Sequence, residues 1–311
     1  MELSLIVPCY NEEGNVDLFH DACVKALAPH VDGLELVFID DGSRDRTLER
    51  LRAIAARSTA RVQILRFSRN FGKEAGIYAG LRACSGALAC IIDADMQQRP
   101  EVALEMLSYL RAHPDTDCVA AYQQRRQEGR VLSFFKGAFY RLINRLSDVR
   151  FVSGASDFRM MRRNMIDAVL SLTEYFRFSK GLFSFVGFQT YFLPYQAQAR
   201  ASGTSKWSFK KLFGYAVEGI VAFSTAPLRL TTVLGLFFAA LSFIYFLVVL
   251  IQKLFFGIAI AGYATIVTLI LLLGGLQLLA LGIIGEYLAR NYVETKRRPV
   301  YIVKEHIDNR G

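Results

Sequence analysis

Residues 87–95 read ALACIIDAD, an apolar run that ends directly in two aspartates, Asp93 and Asp95. Other apolar runs of this kind occupy residues 3–7, 34–39, 62–67 and 118–122. Amphipathic helical patterns lie between them, for example over residues 15–27 and 46–56. Apolar strands that alternate with helices are typical of a parallel sheet covered on both faces. The first 125 residues therefore predict an α/β fold with a doubly wound, mostly parallel sheet.

Polar clusters follow four of these predicted strands. They are Tyr10-Asn11-Glu12, Asp40-Asp41-Gly42-Ser43, Ser68-Arg69-Asn70 and Asp93-Ala94-Asp95. Open parallel sheets bind their ligands beyond the carboxyl ends of the strands. We therefore expect these four clusters to meet at one edge of the sheet and to form a binding site there.

Composition limits the class of protein and its partners. The chain has 311 residues and a formal net charge of +9, and 53% of its residues are hydrophobic. This apolar excess indicates that part of the chain lies in lipid. The positive charge favours an anionic partner, which is a phospholipid surface, a nucleic acid or a phosphorylated substrate. The five cysteines form no CxxC pair, so we expect reduced, buried thiols in a cytosolic domain and no zinc site. The first residues lack a signal-peptide pattern.

Two long charge-free stretches, residues 230–252 and 261–285, mark the last third of the chain. Each is long enough to cross a hydrocarbon layer of about 30 Å, although a buried helical hairpin of a soluble core is the alternative. Basic residues flank the pair on both sides, and the positive-inside rule then places both chain ends in the cytoplasm, at the inner membrane. These flanking residues are Lys206, Lys210, Lys211, Arg229, Arg290, Lys296, Arg297 and Arg298.

The predicted organisation has four parts. Residues 1–206 form a cytoplasmic domain, and residues 207–229 form an amphipathic region at the membrane interface. Residues 230–288 form a hairpin of two transmembrane helices, and residues 289–311 form a basic cytoplasmic tail.

The aspartates of the opening stretch are the strongest chemical signal. Asp93 and Asp95, two residues apart beyond a strand, are suited to converge on one Mg²⁺ or Mn²⁺, with a solvated loop or a helix cap as the alternative. Asp40 and Asp41 are suited to accept hydrogen bonds from a base or ribose, or simply to form a turn and cap a helix. The sequence contains no G-x-G-x-x-G, no P-loop and no G-x-S-x-G, which argues against a nicotinamide fold, a P-loop enzyme and an α/β-hydrolase.

The order of motifs resembles the polyisoprenyl-phosphate branch of glycosyltransferase family 2, which includes dolichol-phosphate mannose synthases and bacterial bactoprenol glucosyltransferases. The matching stretches are Val7-Pro8-Cys9-Tyr10-Asn11-Glu12-Glu13, Asp40-Asp41-Gly42-Ser43, Arg69-Asn70-Phe71-Gly72-Lys73, Asp93-Ala94-Asp95-Met96-Gln97, Ser156-Asp157-Phe158-Arg159, Ser205-Lys206-Trp207 and Gly282-Ile283-Ile284-Gly285-Glu286-Tyr287-Leu288. One departure is that Gln98 and Arg99 stand where the family commonly has an acidic residue and proline. We expect this to alter a helix start rather than the chemistry.

The resemblance implies a GT-A fold, an inverting transfer and a set of site residues. The nucleotide-sugar site would comprise Pro8, Tyr10, Asn11, Glu12, Asp40, Asp41, Lys73, Asp93, Ala94 and Gln97. The metal site for Mg²⁺ or Mn²⁺ would comprise Asp93, Asp95 and Gln97. The catalytic residues would be Asp95 and Asp157, the latter as a base or as a residue that orients the acceptor.

The resemblance also implies the two substrates. The expected reaction carries glucose from UDP-glucose to undecaprenyl phosphate, and UDP-N-acetylglucosamine or another nucleotide sugar is the alternative donor. The acceptor phosphate would be bound by Arg126, Arg200, Ser205 and Lys206. The expected partners are the membrane and further copies of the chain, without nucleic acid. A non-catalytic membrane scaffold that binds nucleotide sugars is the alternative from a different class.

Overall fold

The computed structural model describes residues 1–123, 144–145, 155–195, 224–256 and 262–310. The eight strands within these ranges are β1 (Leu3–Cys9), β2 (Leu34–Asp40), β3 (Arg61–Phe67), β4 (Leu88–Ile91), β5 (Cys118–Gln123), β6 (Ala155–Arg162), β7 (Thr190–Tyr195) and β8 (Val303–Asp308). The eight α-helices there are α1 (Val16–Leu27), α2 (Thr47–Arg57), α3 (Lys73–Ala83), α4 (Pro100–Ala112), α5 (Arg163–Ser171), α6 (Ser179–Phe185), α7 (Ala226–Phe256) and α8 (Tyr263–Thr295).

All eight strands form one mixed sheet in the order β7-β5-β6-β4-β1-β2-β3-β8. Strands β3, β2, β1 and β4 are parallel neighbours. The chain runs from β1 outward to β2 and β3 and then returns to place β4 on the other side of β1. This reversal puts the switch point, where such sheets bind ligands, between β1 and β4. The predicted α/β sheet is confirmed, and each of its five predicted strands overlaps a strand of the structure.

Alternation along the strands builds a core on each face of the sheet. One set of β1 and β2 side chains, including Leu5 and Phe38, packs under α1, α2 and α4. The intervening residues, including Ile6 and Val37, face α3, α5 and Phe183 of α6. Successive strand residues point to opposite faces, so strands that read as continuous apolar runs serve both cores.

Strand β6 extends the sheet beyond β4 and reverses its direction. Ile91 pairs with Arg159 in this antiparallel ladder. Continuing the register by two residues places Asp157 across from Asp93. Two candidate residues that are far apart in the chain are thereby brought to the same end of the sheet.

The segment expected to be a basic tail, residues 289–311, contains a strand instead. Strand β8 pairs antiparallel with β3, and Arg52 and Arg61 form ion pairs with its Glu305 and Asp308 at 2.7 and 2.6 Å. The sequence did not indicate this strand, because six residues that alternate weakly in polarity look like a solvated segment until their partner strand is known.

Helices α7 and α8 extend away from the sheet and expose apolar side chains along their length. Their most apolar windows are Ala226–Val249, with mean hydropathy 2.4, and Leu272–Thr295, with mean hydropathy 1.6, and neither window is buried. Both helices are long and apolar enough to cross a bilayer. Helix α7 begins four residues before the predicted span, and residues 207–223 of the predicted interfacial region lie outside the described residues.

Candidate active site

The loops after β1 and β2 are joined by the side chain and backbone of Asn11. The Asn11 amide donates to Ser43 Oγ at 3.0 Å, and the Arg44 amide donates to Asn11 Oδ1 at 2.9 Å. Asn11 adopts φ 57°, a left-handed conformation that asparagine tolerates better than most residues. Asn11 therefore shapes the site by fixing two loops to each other.

The neighbouring aspartates at the end of β2 have different roles in the structure. Both carboxylate oxygens of Asp41 accept backbone N–H groups, from Phe71 at 2.6 Å and Gly72 at 2.9 Å. Asp41 thus holds the loop that leads into α3. Asp40 accepts one bond, from the Ser43 amide at 2.9 Å, while its Oδ2 is buried without a hydrogen-bond partner and lies 4.0 Å from Arg66 Nε in an ion pair.

A cavity of about 290 Å³ opens beside these loops. Its lining residues come from the ends of β1, β2, β3 and β8, and are Tyr10, Gly42, Ser43, Arg44, Arg66, Phe67, Ser68, Arg69, Asn70 and Lys304. Gly42 has φ 68°, and a Cβ there would lie 2.7 Å from the carbonyl carbon of Arg69. Only glycine allows these two loops to approach so closely, and this approach defines one wall of the cavity.

Lys73, the first residue of α3, lies between two of the predicted acids. Its Nζ is 2.6 Å from Asp93 Oδ1 and 3.4 Å from Asp157 Oδ2. Burial would lower the pKa of Lys73, but Asp93 and Asp157 outweigh it and raise that pKa well above its usual range. Burial would likewise raise the pKa of Asp157, but Lys73, Lys180 and Arg159 hold it below the ordinary value. Asp157 is therefore an ionised carboxylate at neutral pH.

Gln98, where the sequence departs from the family pattern, contacts Asp93 twice. The Asp93 amide donates to Gln98 Oε1 and Gln98 Nε2 donates to Asp93 Oδ2, both at 2.9 Å. Helix α4 then begins at Pro100, a favoured first position. The departure thus affects the carboxylate itself, because a neutral amide fixes the orientation of Asp93.

The acidic end of the site carries oxygen ligands of the kind that a hard divalent cation prefers. Asp95 follows Asp93, and Met96 adopts φ 61° in the turn between Asp95 and Gln97, whose amide donates to Asp95 Oδ1 at 3.1 Å. Burial and the charges of Asp95 and Asp93 raise the pKa of Glu12, although Asn15 opposes the shift. Within the described ranges, no three His, Cys, Asp or Glu side chains are grouped to hold a metal. Two carboxylates fit a Mg²⁺ or Mn²⁺ that takes its remaining ligands from substrate phosphates and water.

Among the predicted site residues that the structure describes, Tyr10 is the one that lines the cavity, and two of the others support the fold. Ala94 is buried in the core, and Pro8 lies in β1, where its side chain faces Gly76 of α3. The predicted acceptor residues Arg126, Arg200, Ser205 and Lys206 lie outside the described residues.

The structure adds two cationic residues that the sequence did not indicate. Lys304 of β8 lines the cavity, and the charge of Lys180 in α6 acts on Asp157. Neither residue belongs to a local motif, and each is close to the site only because of long-range strand and helix packing.

A mixed sheet of this order, with an acidic pair after β4 and a cavity among the loops after β1, β2 and β3, has the architecture of a GT-A glycosyltransferase. A family model described as "Glycosyl transferase family 2" matches residues 4–170, and one described as "GtrB C-terminal hairpin" matches residues 226–290. The chain belongs to glycosyltransferase family 2, which confirms the resemblance seen in its motifs.

Similar proteins match along nearly the whole chain. The bactoprenol glucosyl transferase of Shigella phage SfV is 39% identical over 98% of this chain and 98% of its own length. CsbB of Bacillus subtilis (strain 168), named provisionally as a glycosyltransferase, is 42% identical over 97% of this chain and 91% of its own. The crystal structure of glucosyl-3-phosphoglycerate synthase from Mycobacterium tuberculosis with Mn²⁺, uridine diphosphate and phosphoglyceric acid has TM-score 0.47 and 21% identity, and covers 71% of this chain and 76% of that one.

Proposed function

We propose that this protein transfers glucose from UDP-glucose to undecaprenyl phosphate at the cytoplasmic face of the membrane. The observation that carries the proposal is the arrangement of Asp93, Lys73 and Asp157 at the same edge of the sheet as a cavity of about 290 Å³, in a chain that also has an apolar helical hairpin. The bactoprenol glucosyl transferase of Shigella phage SfV supports the choice of sugar and lipid.

The nucleotide binds in the cavity between the β1, β2 and β3 loops. Asp40 Oδ2 is a buried acceptor without a donor, and the N–H of a pyrimidine base supplies the missing hydrogen bond. Tyr10, 43% exposed on the cavity rim, offers its ring to the base or ribose. The diphosphate then extends from the cavity toward Asp93 and Asp95.

The reaction is a direct displacement at the anomeric carbon of the sugar. An oxygen of the lipid phosphate forms a bond to that carbon, the bond to the nucleotide diphosphate breaks, and the diphosphate leaves with the electron pair, so the anomeric configuration inverts. Asp93 and Asp95 would hold a Mg²⁺ or Mn²⁺, which would supply positive charge to offset the charge of the leaving diphosphate.

Proton removal contributes little to this transfer. A phosphate monoester has a second pKa of about 6 and is already mostly dianionic at neutral pH. Asp157 carries a negative charge itself, so it does not attract the acceptor directly. Its role is to hold Lys73 and the neighbouring cations in the positions where they meet the two phosphate groups.

Replacement of Asp95 tests the proposal. Purified wild-type protein and Asp95→Ala are incubated with undecaprenyl phosphate and labelled UDP-glucose, UDP-N-acetylglucosamine or a mannose donor, with and without chelator. We expect the variant to lose at least about 100-fold in glycolipid formation, because stabilisation of the leaving group is removed. It should also bind Mn²⁺ more weakly in the presence of uridine diphosphate.

Asp115→Ala is the matched control, since Asp115 is an exposed aspartate away from the site. A folded Asp95→Ala protein that makes glycolipid at the normal rate in chelator refutes the metal-assisted transfer. Transfer from a different nucleotide sugar refutes only the choice of glucose. Binding without any transfer by the wild-type protein identifies a scaffold.

A further inference from the structure

The segment that leads into α6 contacts the charged end of α8. The Tyr175 amide donates to a carboxylate oxygen of Glu294 at 2.8 Å, and the Arg290 guanidinium lies 5.3 Å from the centre of the Phe176 ring. Arg290 and Glu294 follow the charge-free stretch of α8, which ends at residue 285. This segment of the catalytic domain is therefore fixed beside the point where α8 leaves the lipid under the proposed function.

The other end of the same segment is fixed to the catalytic centre. Glu74, the residue after Lys73, accepts hydrogen bonds from both the amide and the hydroxyl of Ser179, the first residue of α6. Farther along α6, the Phe183 ring lies 4.0 Å from the guanidinium of Arg159, two residues from Asp157. Helix α6 thus connects the end of α8 to the Lys73–Asp157 pair.

Two aromatic side chains of this region face solvent. Phe176 is 43% and Phe185 is 59% exposed. Aromatic side chains at such positions are favoured where a protein meets the interfacial layer of a membrane. Together with the contacts to α8, their exposure indicates that α6 lies at the lipid surface.

Among the cations of this region that the structure describes, Lys180 is one that has no ion pair or stacking contact. Lys73 is paired with Asp93, Arg159 is buried beside Phe183, and Arg177 donates to the Leu172 carbonyl and stacks on Tyr78. Lys180 is half-buried and forms no ion pair with any residue that the structure describes. Lys180 is the residue after Ser179, which contacts Glu74.

We infer that Lys180 binds the phosphate of the lipid acceptor as the lipid enters the site past α6, between the end of α8 and Asp157. This inference rests on the proposed function and names the acceptor side of the same site. The electrostatic influence of Lys180 on the pKa of Asp157 agrees with a position at the reacting centre. A fixed cation there offsets the repulsion between the anionic acceptor and the anionic donor.

The test measures acceptor binding directly, without relying on transfer. The full chain in nanodiscs is titrated with a water-soluble short-chain prenyl phosphate, and the same proteins are titrated with uridine diphosphate. We expect Lys180→Ala to weaken prenyl phosphate binding at least about tenfold, because a charge-assisted contact is lost. Lys180→Arg should restore most of the affinity, and uridine diphosphate should bind with unchanged affinity.

Lys25→Ala, which removes an exposed lysine of α1, is the matched control and should bind both ligands normally. Unchanged prenyl phosphate affinity in Lys180→Ala overturns the inference. Binding to vesicles of phosphatidylglycerol is measured alongside. If Lys180→Ala weakens only that binding, the inference is also overturned, since Lys180 would then bind bulk anionic lipid. Lys180→Gln is measured in the same way, and loss of uridine diphosphate binding in both variants also overturns the inference, because Lys180 would then serve the donor or the fold. Normal acceptor binding by a wild-type protein that transfers no sugar contradicts the proposed function alone.

Discussion

At the scale of single residues, the adjacent Asp40 and Asp41 have different roles. Asp41 contributes to stability, and under the proposed function Asp40 contributes to ligand binding. Asp41 has both oxygens bonded to the loop before α3, whereas Asp40 keeps one buried oxygen without a donor. A buried acceptor without a partner costs free energy in the unliganded protein, and a ligand that supplies a donor recovers it. Asp40 is therefore a residue whose contribution to binding comes at the expense of folding.

Asparagine at each position separates the two roles. In Asp40→Asn, the Ser43 amide still requires an acceptor, so the new Nδ2 occupies the unbonded position and faces the N–H of the base. We expect uridine diphosphate affinity to fall roughly ten- to hundredfold, while the free energy of unfolding changes little, because the long ion pair with Arg66 is lost together with the unbonded acceptor. In Asp41→Asn, one loop amide loses its acceptor, and the free energy of unfolding should fall by about 1–3 kcal/mol.

Calorimetric titration and thermal unfolding measure the two quantities on the same preparations. A pair of variants with equal losses of stability and equal losses of affinity would contradict this division of roles.

At the scale of elements, strand β8 shows how a distant segment enters a binding site. Ser68, at the end of β3, donates its amide to the Ile302 carbonyl at 3.0 Å, and Tyr301 stacks on Phe67 with ring centres 5.0 Å apart. These contacts position Lys304 on the cavity wall formed by Arg69 and its neighbours. The strand therefore contributes to the donor pocket as well as closing one edge of the sheet.

Lys304→Ala tests this contribution. We expect uridine diphosphate to bind about three- to tenfold more weakly, a modest effect because the side chain is exposed and its interactions are screened by solvent. The pairing of β8 with β3 uses backbone groups, so thermal stability should not change. Arg298→Ala is the control, because it removes an exposed cation from the same segment outside the cavity. Equal affinity in the two variants would exclude Lys304 from the pocket.

At the scale of the whole molecule, α7 and α8 determine how the catalytic domain faces its lipid. The Tyr287 hydroxyl donates to the Ser224 carbonyl at 2.6 Å, so the start of α7 and the end of α8 lie side by side. Basic residues flank the hairpin at this end, and the catalytic domain precedes the hairpin in the chain. Under the proposed function, this end lies in the cytoplasm.

Cysteine labelling in intact cells tests that orientation. All five native cysteines are buried, so an added cysteine supplies the signal. We expect Gly257→Cys, between the two helices, to react with a membrane-impermeant maleimide, and Arg298→Cys to react only after permeabilisation. Labelling of Arg298→Cys alone in intact cells would reverse the orientation, and labelling of neither variant would place the hairpin inside the protein.

The parts of the fold that depend on local pattern were predictable from sequence, and those that depend on pairing partners were not. Apolar runs and the aspartates after them identified β1 to β5 and the acidic edge of the sheet. Strand β8 was missed because its partner, β3, is more than 200 residues earlier in the chain. Lys180 was missed for the same reason, since it acquires its role only through tertiary packing, whereas the contact of Gln98 with Asp93 is local and depends on the turn that the chain makes over those six residues.

Strand β8 also has a consequence for the order in which the protein is synthesised and folds. The ribosome makes the cavity loops first, the hairpin next and residues 303–308 last, so a nascent chain lacks one wall of its donor pocket until both helices have left the exit tunnel. Under the proposed function, we expect chains that lack residues 303–308 to bind nucleotide sugar poorly. Completion of the donor pocket would then follow synthesis of the hairpin that brings the domain to its lipid acceptor.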